Sequence, residues 1–277
     1  MKTHTTAAYL INPEHPVTVQ VIGCGGNGSQ VLTQLARINE ALKKLGHLGI
    51  HVTCFDNDII TEANMGRQLF SPSELGMNKA VALITRLNRF FGTSWKAMPI
   101  LFNSKVEILE RRANITISCV DSIATRIEIE KCLMEKLKKN HGDPYYGTYY
   151  WMDLGNTQNS GQFILGSIGG IEQPERIISK ASTKKVKATL GVDIESLFVS
   201  TLPNVFEKFP AMKKQKEKES GPSCSLAEAL DKQDLFINST LSQLAMGLLW
   251  KLFREGKINY HGAFVNLETL KIAPIYI

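Results

Sequence analysis

Several common features are missing from this chain. No apolar run approaches the roughly 20 residues needed to cross a bilayer, and residues 1–16 lack the apolar core of a secretory signal. No membrane contact is expected, and a cytoplasmic location is. Cysteine is sparse: five in 277 residues, at 24, 54, 119, 132 and 224, with no CxxC pair and no Cys/His metal spacing. No structural zinc is therefore expected, and an odd cysteine count argues against a disulfide framework. Cys54 and Cys119 fall in strand-like apolar runs and are read as buried thiols, while Cys224 lies in a polar, Pro-flanked segment. Acidic residues are fewer than basic ones, leaving a net charge of +6. The excess is concentrated in the runs 180–187 and 213–218, the second interleaved with glutamate. That pattern fits solvated loops better than a nucleic-acid surface.

What is present is an alternation of strand and helix patterns. Val17–Ile22 is a β-branched run that ends in Gly23-Cys24-Gly25-Gly26-Asn27-Gly28. A helical pattern follows from Ser29 to about Leu45, with Val31, Leu32, Leu35, Ile38 and Leu42 on one face. A second apolar run, Ile50–Phe55, ends at Asp56. Strand, glycine turn, helix and strand in this order make a parallel βαβ unit. Further on, the patterns predict helices at 78–88, 106–112 and 123–139, and strands at 95–101, 115–120, 149–154 and 162–168. Gly155–Gly161 reads as a turn-rich linker between the last two strands, and 171–225 as a long crossover with little regular structure. A helix opened by Asp231 or Asp234 and running to Glu255, with Leu235, Ile237, Leu241, Leu244, Leu248 and Leu249 apolar, precedes a last strand at 261–267. The expected fold is α/β and Rossmann-like, in a single domain over 1–277. A mostly parallel sheet is flanked by helices, with antiparallel strands later in the chain.

The glycine turn predicts a phosphate cradle. Gly23 permits the tight turn, Gly25 lets an anion approach the backbone, and Gly28 lets the helix pack on the sheet. Asp56, at the end of the second strand, is placed to bond ribose hydroxyls. These features suit a nicotinamide dehydrogenase equally well. The segment Asp56 to Phe70 and then Leu75 to Ala80 discriminates, since it adds Asp58, Asn64, Arg67, Gln68 and Lys79. Hydride transfer has no task for this set, whereas nucleotidyl transfer develops charge on phosphate oxygens that Arg and Lys stabilise. Asp121, alone, reads either as a cation ligand or as a strand-end helix cap.

Taken together these elements resemble the ThiF-type adenylyltransferases, which include MoeB and the ubiquitin-activating enzymes. The shared pattern is GxGGxG, acid-x-acid, Asn-x-x-Arg-Gln, Gly-x-x-Lys-Ala, and an Asp with an Arg five residues on, here Asp121 and Arg126. It covers roughly residues 17 to 168. The tail, with Ser223-Cys224-Ser225 and Gln233–Asn238, is similar to that of the ThiF-related proteins of PRTRC cassettes. Three departures stand out: Gly66 replaces a polar residue, the Arg67–Lys79 interval is one residue shorter than in MoeB-like members, and the family's zinc motifs are missing. The resemblance implies an ATP-dependent enzyme that activates the C-terminal carboxylate of a small ubiquitin-like protein as an acyl-adenylate. It also implies that Gly23, Gly25, Gly26 and Gly28 turn around the phosphates, with Asp56 on the ribose and Asn64, Arg67, Gln68 and Lys79 around the triphosphate. Asp121 would hold Mg²⁺. A homodimer is implied because the arginine matching Arg67 commonly reaches into a neighbouring subunit's site. Cys224, placed before a late helix, is implied as a thioester carrier. The alternatives are a non-catalytic scaffold of such a cassette and an NAD-dependent oxidoreductase.

Overall fold

A strand that is apolar at nearly every position needs cover on both faces, as in the centre of a parallel sheet. Val17–Ile22 has that character and lies inside an eight-stranded sheet. The computed structural model describes residues 2–138, 144–174, 197–215, 228, 230 and 232–277. In chain order it has β1 (His4–Thr5), α1 (Ala8–Ile11), β2 (Val17–Ile22), α2 (Gly26–Lys44), β3 (Ile50–Phe55), α3 (Lys79–Phe91) and β4 (Lys96–Met98). β5 (Ile115–Ser118), α4 (Ile123–Lys138), β6 (Tyr150–Asn156) and β7 (Ser160–Ser167) follow. Then come α5 (Val205–Lys208), α6 (Ile237–Glu255), β8 (Lys257–Ile258), β9 (Tyr260–Asn266) and β10 (Lys271–Tyr276).

The sheet order is β10-β9-β7-β6-β5-β2-β3-β4, parallel from β4 through β6 and antiparallel from β6 onward. This is the predicted α/β architecture. Successive strand residues alternate between two cores, as the period of two requires. Val19, Val21, Val52, Cys54 and Met152 join one core with α2, α3 and α6. Ile22, Phe55 and Trp151 join the other with Ile129 and Leu133 of α4 and Phe206 of α5. The predicted apolar face of α2 is buried at all five positions. In α6, Ile237, Leu241, Leu248 and Leu249 are buried and Leu244 is partly buried, whereas Leu235 lies before the helix and is exposed.

Four local expectations are corrected. α2 starts at Gly26 rather than Ser29, because the amide of Ser29 already donates to the carbonyl of Gly25. Residues 106–112 form turns instead of a helix: Arg111 Nε takes the Val106 carbonyl that a helix would use, and Nη2 pairs with Glu135. The strand at 95–101 shrinks to Lys96–Met98, next to Pro99, which has no N–H for the ladder. Gly155 and Gly161 belong to β6 and β7, joined by a tight turn in which Thr157 N–H donates to Ser160 O at 2.8 Å. Within the crossover, the described part is more regular than expected, since Asn204 caps α5 by accepting from Phe206 and Glu207 N–H groups. The rest of the crossover, Cys224 included, lies outside the described residues. β10 was not anticipated; it is a largely exposed edge strand containing Pro274, and such strands carry weak patterns.

Candidate functional site

The chain leaves β2 for β3 on one side, and β5 lies on the other, so the strand order reverses at β2. In open α/β sheets such a switch point opens a crevice at the carboxyl ends of the strands. Here a cleft of about 910 Å³ lies there, bordered by the glycine turn, Asp56, Asp58, Asn64, Arg67, Gln68, Lys79, Asp121 and Arg126. Of the predicted cleft residues, Gly28 is the one that lies beneath the wall instead of on it.

The turn itself is dictated by close approach. A Cβ on Gly28 would sit 1.9 Å from the carbonyl oxygen of Gly23, and Gly23 has φ +91° with its own Cβ position 2.8 Å from Cys119 O. No side chain fits at either place. Gly25, by contrast, has nothing within 4 Å of a Cβ, so its backbone faces open space. That is the surface an anion would approach.

Asp56 fastens the turn to β3. Its Oδ2 accepts from Cys24 N–H at 2.5 Å and its Oδ1 from Asp58 N–H at 2.8 Å. Burial pushes its carboxyl above the ordinary range, while those two N–H groups and the Lys79 charge pull it back. Asp56 therefore shapes the loop as well as facing the cleft. Lys79, at the first position of α3, is 7% exposed and donates to Asp58 Oδ2 at 2.9 Å. Asn78 completes the stitch. Its side chain caps α3 by accepting from Val81 N–H and donates to the carbonyls of Asp56 and Asp58.

Arg67 lines the cleft of its own chain. Its Nη1 donates to Gln233 Oε1, and its Nε is buried with no partner among the described residues. Burial lowers the guanidinium's proton affinity and the nearby Asp121 charge raises it. Gln68 is 5% exposed, with Oε1 unpaired among the described residues. Asn64 uses its Oδ1 locally, accepting from Thr61 N–H at 2.9 Å. Arg126, which the resemblance puts among the nucleotide-binding residues, borders the cleft, and each of its three nitrogens also donates to a protein oxygen, on Asp153, Asp121 and Leu154.

Several contributors were missed. Asn27, Asn156, Gln162, Gln233 and Asn238 give one end of the cleft a lining of neutral amides. Asn27 Nδ2 donates to Asn156 Oδ1 at 2.8 Å, and Asn27 Oδ1 is buried with no partner among the described residues. Asn238, in the first turn of α6, sits 2.5 Å from where a Gly26 Cβ would be, so the late helix closes directly over the glycine turn. The signal available for these was slight: amides in polar surroundings, far apart in sequence.

Chemically, the cleft offers backbone N–H groups and cations that include Arg67 and Lys79 for an anion, and two exposed carboxylates for a cation, Asp58, which already pairs with Lys79, and Asp121. No group of three His, Cys, Asp or Glu side chains among the described residues could hold a metal alone. A hard divalent cation fits Asp121 when phosphate oxygens supply its other ligands. Cys119 also borders the cleft, but burial pushes its thiol well up, so it offers no thiolate.

Comparison with known proteins agrees with this fold. Residues 15–273 match the ThiF family. Among solved structures, E. coli MccB with ATP is 16% identical, with a TM-score of 0.53, covering 96% of this chain and 64% of that one. E. coli MccB with MccA-N7isoASN is 17% identical, TM-score 0.54, covering 94% and 64%. SeMet PaaA is 12% identical, TM-score 0.56, also covering 94% and 64%. The chain thus spans about 64% of the length of these structures, and at such identities the likeness is one of fold. No curated protein is similar enough in sequence to count as a match.

Proposed function

The chain belongs to the ThiF family, and from that premise we propose that it uses ATP to adenylate a carboxylate at the C-terminus of a small protein, with a ubiquitin-like protein as the substrate. The observation that carries this reading is the convergence of the glycine turn, Asp56, Arg67, Lys79 and Asp121 on one cleft. A carboxylate oxygen attacks the α-phosphorus, the bond to the bridging oxygen breaks, and pyrophosphate leaves with the electron pair. No covalent nucleophile on the protein is needed; orientation and charge stabilisation are sufficient. The N–H groups at the start of α2 hold phosphate oxygens, and Lys79 and Arg67 meet the charge that develops on the α-phosphate and the leaving group. Asp121 is the residue that would hold Mg²⁺, which when bound supplies charge neutralisation between phosphate oxygens. The amide-lined end, through Asn27, Asn156 and Gln162, pairs with the C=O and N–H groups of an extended peptide tail.

The dehydrogenase alternative leaves Arg67, Lys79 and Asp121 without a task, although all three line the cleft. A second step belongs to the same proposal: the Cys224 sulfur attacks the acyl carbon and AMP departs, leaving a thioester. A thiol-reducible conjugate that persists in Cys224→Ala would end that step. A homodimer is proposed as well, read by sedimentation velocity. The main test is ATP–pyrophosphate exchange with and without a candidate ubiquitin-like protein. Exchange should require the protein substrate and fall about 100-fold or more in Arg67→Ala and Asp121→Ala. If both variants exchange at the wild-type rate, the site assignment is wrong; ATP binding with no turnover would favour a scaffold.

A further inference from the structure

At the cleft wall the largely buried guanidinium of Arg126 is backed by a carboxylate, Asp153, that lies behind the lining. Asp153 on β6 is 1% exposed and Arg126 on α4 is 4% exposed. Asp153 Oδ1 accepts from Arg126 Nε at 2.9 Å and from the Ser118 hydroxyl at 2.6 Å. The indole N–H of Trp151 in turn donates to Ser118 Oγ at 2.8 Å, so the acceptor is itself fixed. On its other side the guanidinium reaches outward. Nη1 donates to the backbone carbonyl of Asp121 at 3.1 Å and Nη2 to that of Leu154 at 3.2 Å. Gly155 leaves the passage clear, since a Cβ there would lie 3.1 Å from Nη2.

The placement of Asp121 makes this arrangement informative. β5 ends at Ser118 and α4 begins at Ile123, so only residues 119–122 link them. That link is also anchored at both ends, by Cys119 N–H on Ile22 O and by Arg126 N–H on Ser122 O. A short link whose central carbonyl is held by a buried charge has little freedom to swing its side chain. Burying two charges for packing alone is a poor device, because an apolar pair of similar volume is often as stable.

Resting on the adenylation reading, we propose that Asp153 is a positioning residue: through Arg126 it fixes the Asp121 carbonyl and so aims the Asp121 carboxylate at the cation shared with the nucleotide. Asp153 touches neither nucleotide nor metal, and its effect passes entirely through the guanidinium.

The test compares wild type, Asp153→Asn and the double variant Asp153→Asn/Arg126→Met by hydrogen–deuterium exchange without nucleotide and by Mg²⁺ titration of ATP binding. In Asp153→Asn the amides of 119–125 should exchange about tenfold faster, with β2 and β3 unchanged. The Mg²⁺ concentration that half-saturates the enhancement of ATP binding should rise about tenfold, while ATP affinity in chelator stays the same. The double variant no longer carries an unpaired buried charge, so it should recover thermal stability yet keep both defects. It also stands in for the single variant should that one fail to fold. Unchanged exchange at 119–125, or wild-type Mg²⁺ dependence in a folded variant, overturns the proposal. Should wild type bind no ATP at any Mg²⁺ concentration, the adenylation reading fails, and the exchange data alone still decide whether the strut holds the link.

Discussion

Two ion pairs border the same cleft with the same 2.9 Å separation, Lys79–Asp58 and Arg126–Asp153, and they are built for opposite purposes. The Asp58 side chain is 60% exposed, so water already competes for Lys79. Asp153 is 1% exposed, and no solvent reaches it. A phosphate entering the cleft can replace the first carboxylate at little expense but has no route to replace the second. Length therefore says nothing about role; the hydration of the partner does. The open pair is a cation held ready, and the closed one is a strut.

The largest expected effect follows from breaking the closed pair. Removing one partner strands a buried charge, so Asp153→Asn should lose about 3–5 kcal/mol in urea denaturation. Burial pushes the Asp153 carboxyl above its ordinary range, with Arg126 and Ser118 opposing. Asp58→Asn should lose less than Asp153→Asn, because water already reaches the carboxylate side of the pair. Equal losses would abolish the distinction between the two.

Next in size is a catalytic effect that should separate from stability. Lys79→Met keeps the buried stem of the side chain and removes only the ammonium. Pyrophosphate exchange should drop about 100-fold, with folding stability within about 1 kcal/mol of wild type. A loss of stability as large as that of Asp153→Asn would mean that Lys79 is structural after all.

The same contrast explains what the sequence disclosed. The open side of the cleft is local: strand, glycine turn, helix, Asp56 and Lys79 follow one another within the pattern of a single βαβ unit and its continuation. Even the departure at Gly66 has a local reason, since its φ of 73° is a left-handed turn just before Arg67. The closed side is assembled from a distance. Asp153 looked like one more residue in the apolar strand Tyr149–Leu154, and nothing in its neighbourhood announced Arg126. A lone acid within a buried strand does carry information, because it must find a partner or neutralise. The partner, however, is set by which strands pair, here β5 beside β6. Gln233 and Asn238 are similar: their place over the glycine turn is fixed by α6 packing on α2, with Ser242 Oγ donating to Asn27 O at 3.1 Å.

The smallest effect concerns titratable groups that are buried without a compensating charge. His4 is fully buried, with Nδ1 against Val199 O at 2.6 Å and Nε2 against Tyr150 Oη at 2.9 Å, and burial lowers its affinity for a proton. Burial does the same to His261, whose Nδ1 lies 2.9 Å from Leu165 O. A histidine held below its unfolded value of about 6.5 is neutral in the fold, and the unfolded chain binds protons first as pH falls. Its contribution is therefore fully present above about pH 6.5 and declines below it, by at most about 1.4 kcal/mol per pH unit per group. The urea midpoint should fall between about pH 7.5 and about pH 5.5, and the His4→Gln chain should show a shallower fall. Because His4 joins the N-terminal strand to residues 197–199 by way of Val199, hydrogen-exchange protection at Thr3 and Val199, taken relative to the intrinsic rate at each pH, should fall over the same interval. A wild-type slope unchanged by the substitution would place the acid sensitivity elsewhere, with His261 the first group to examine.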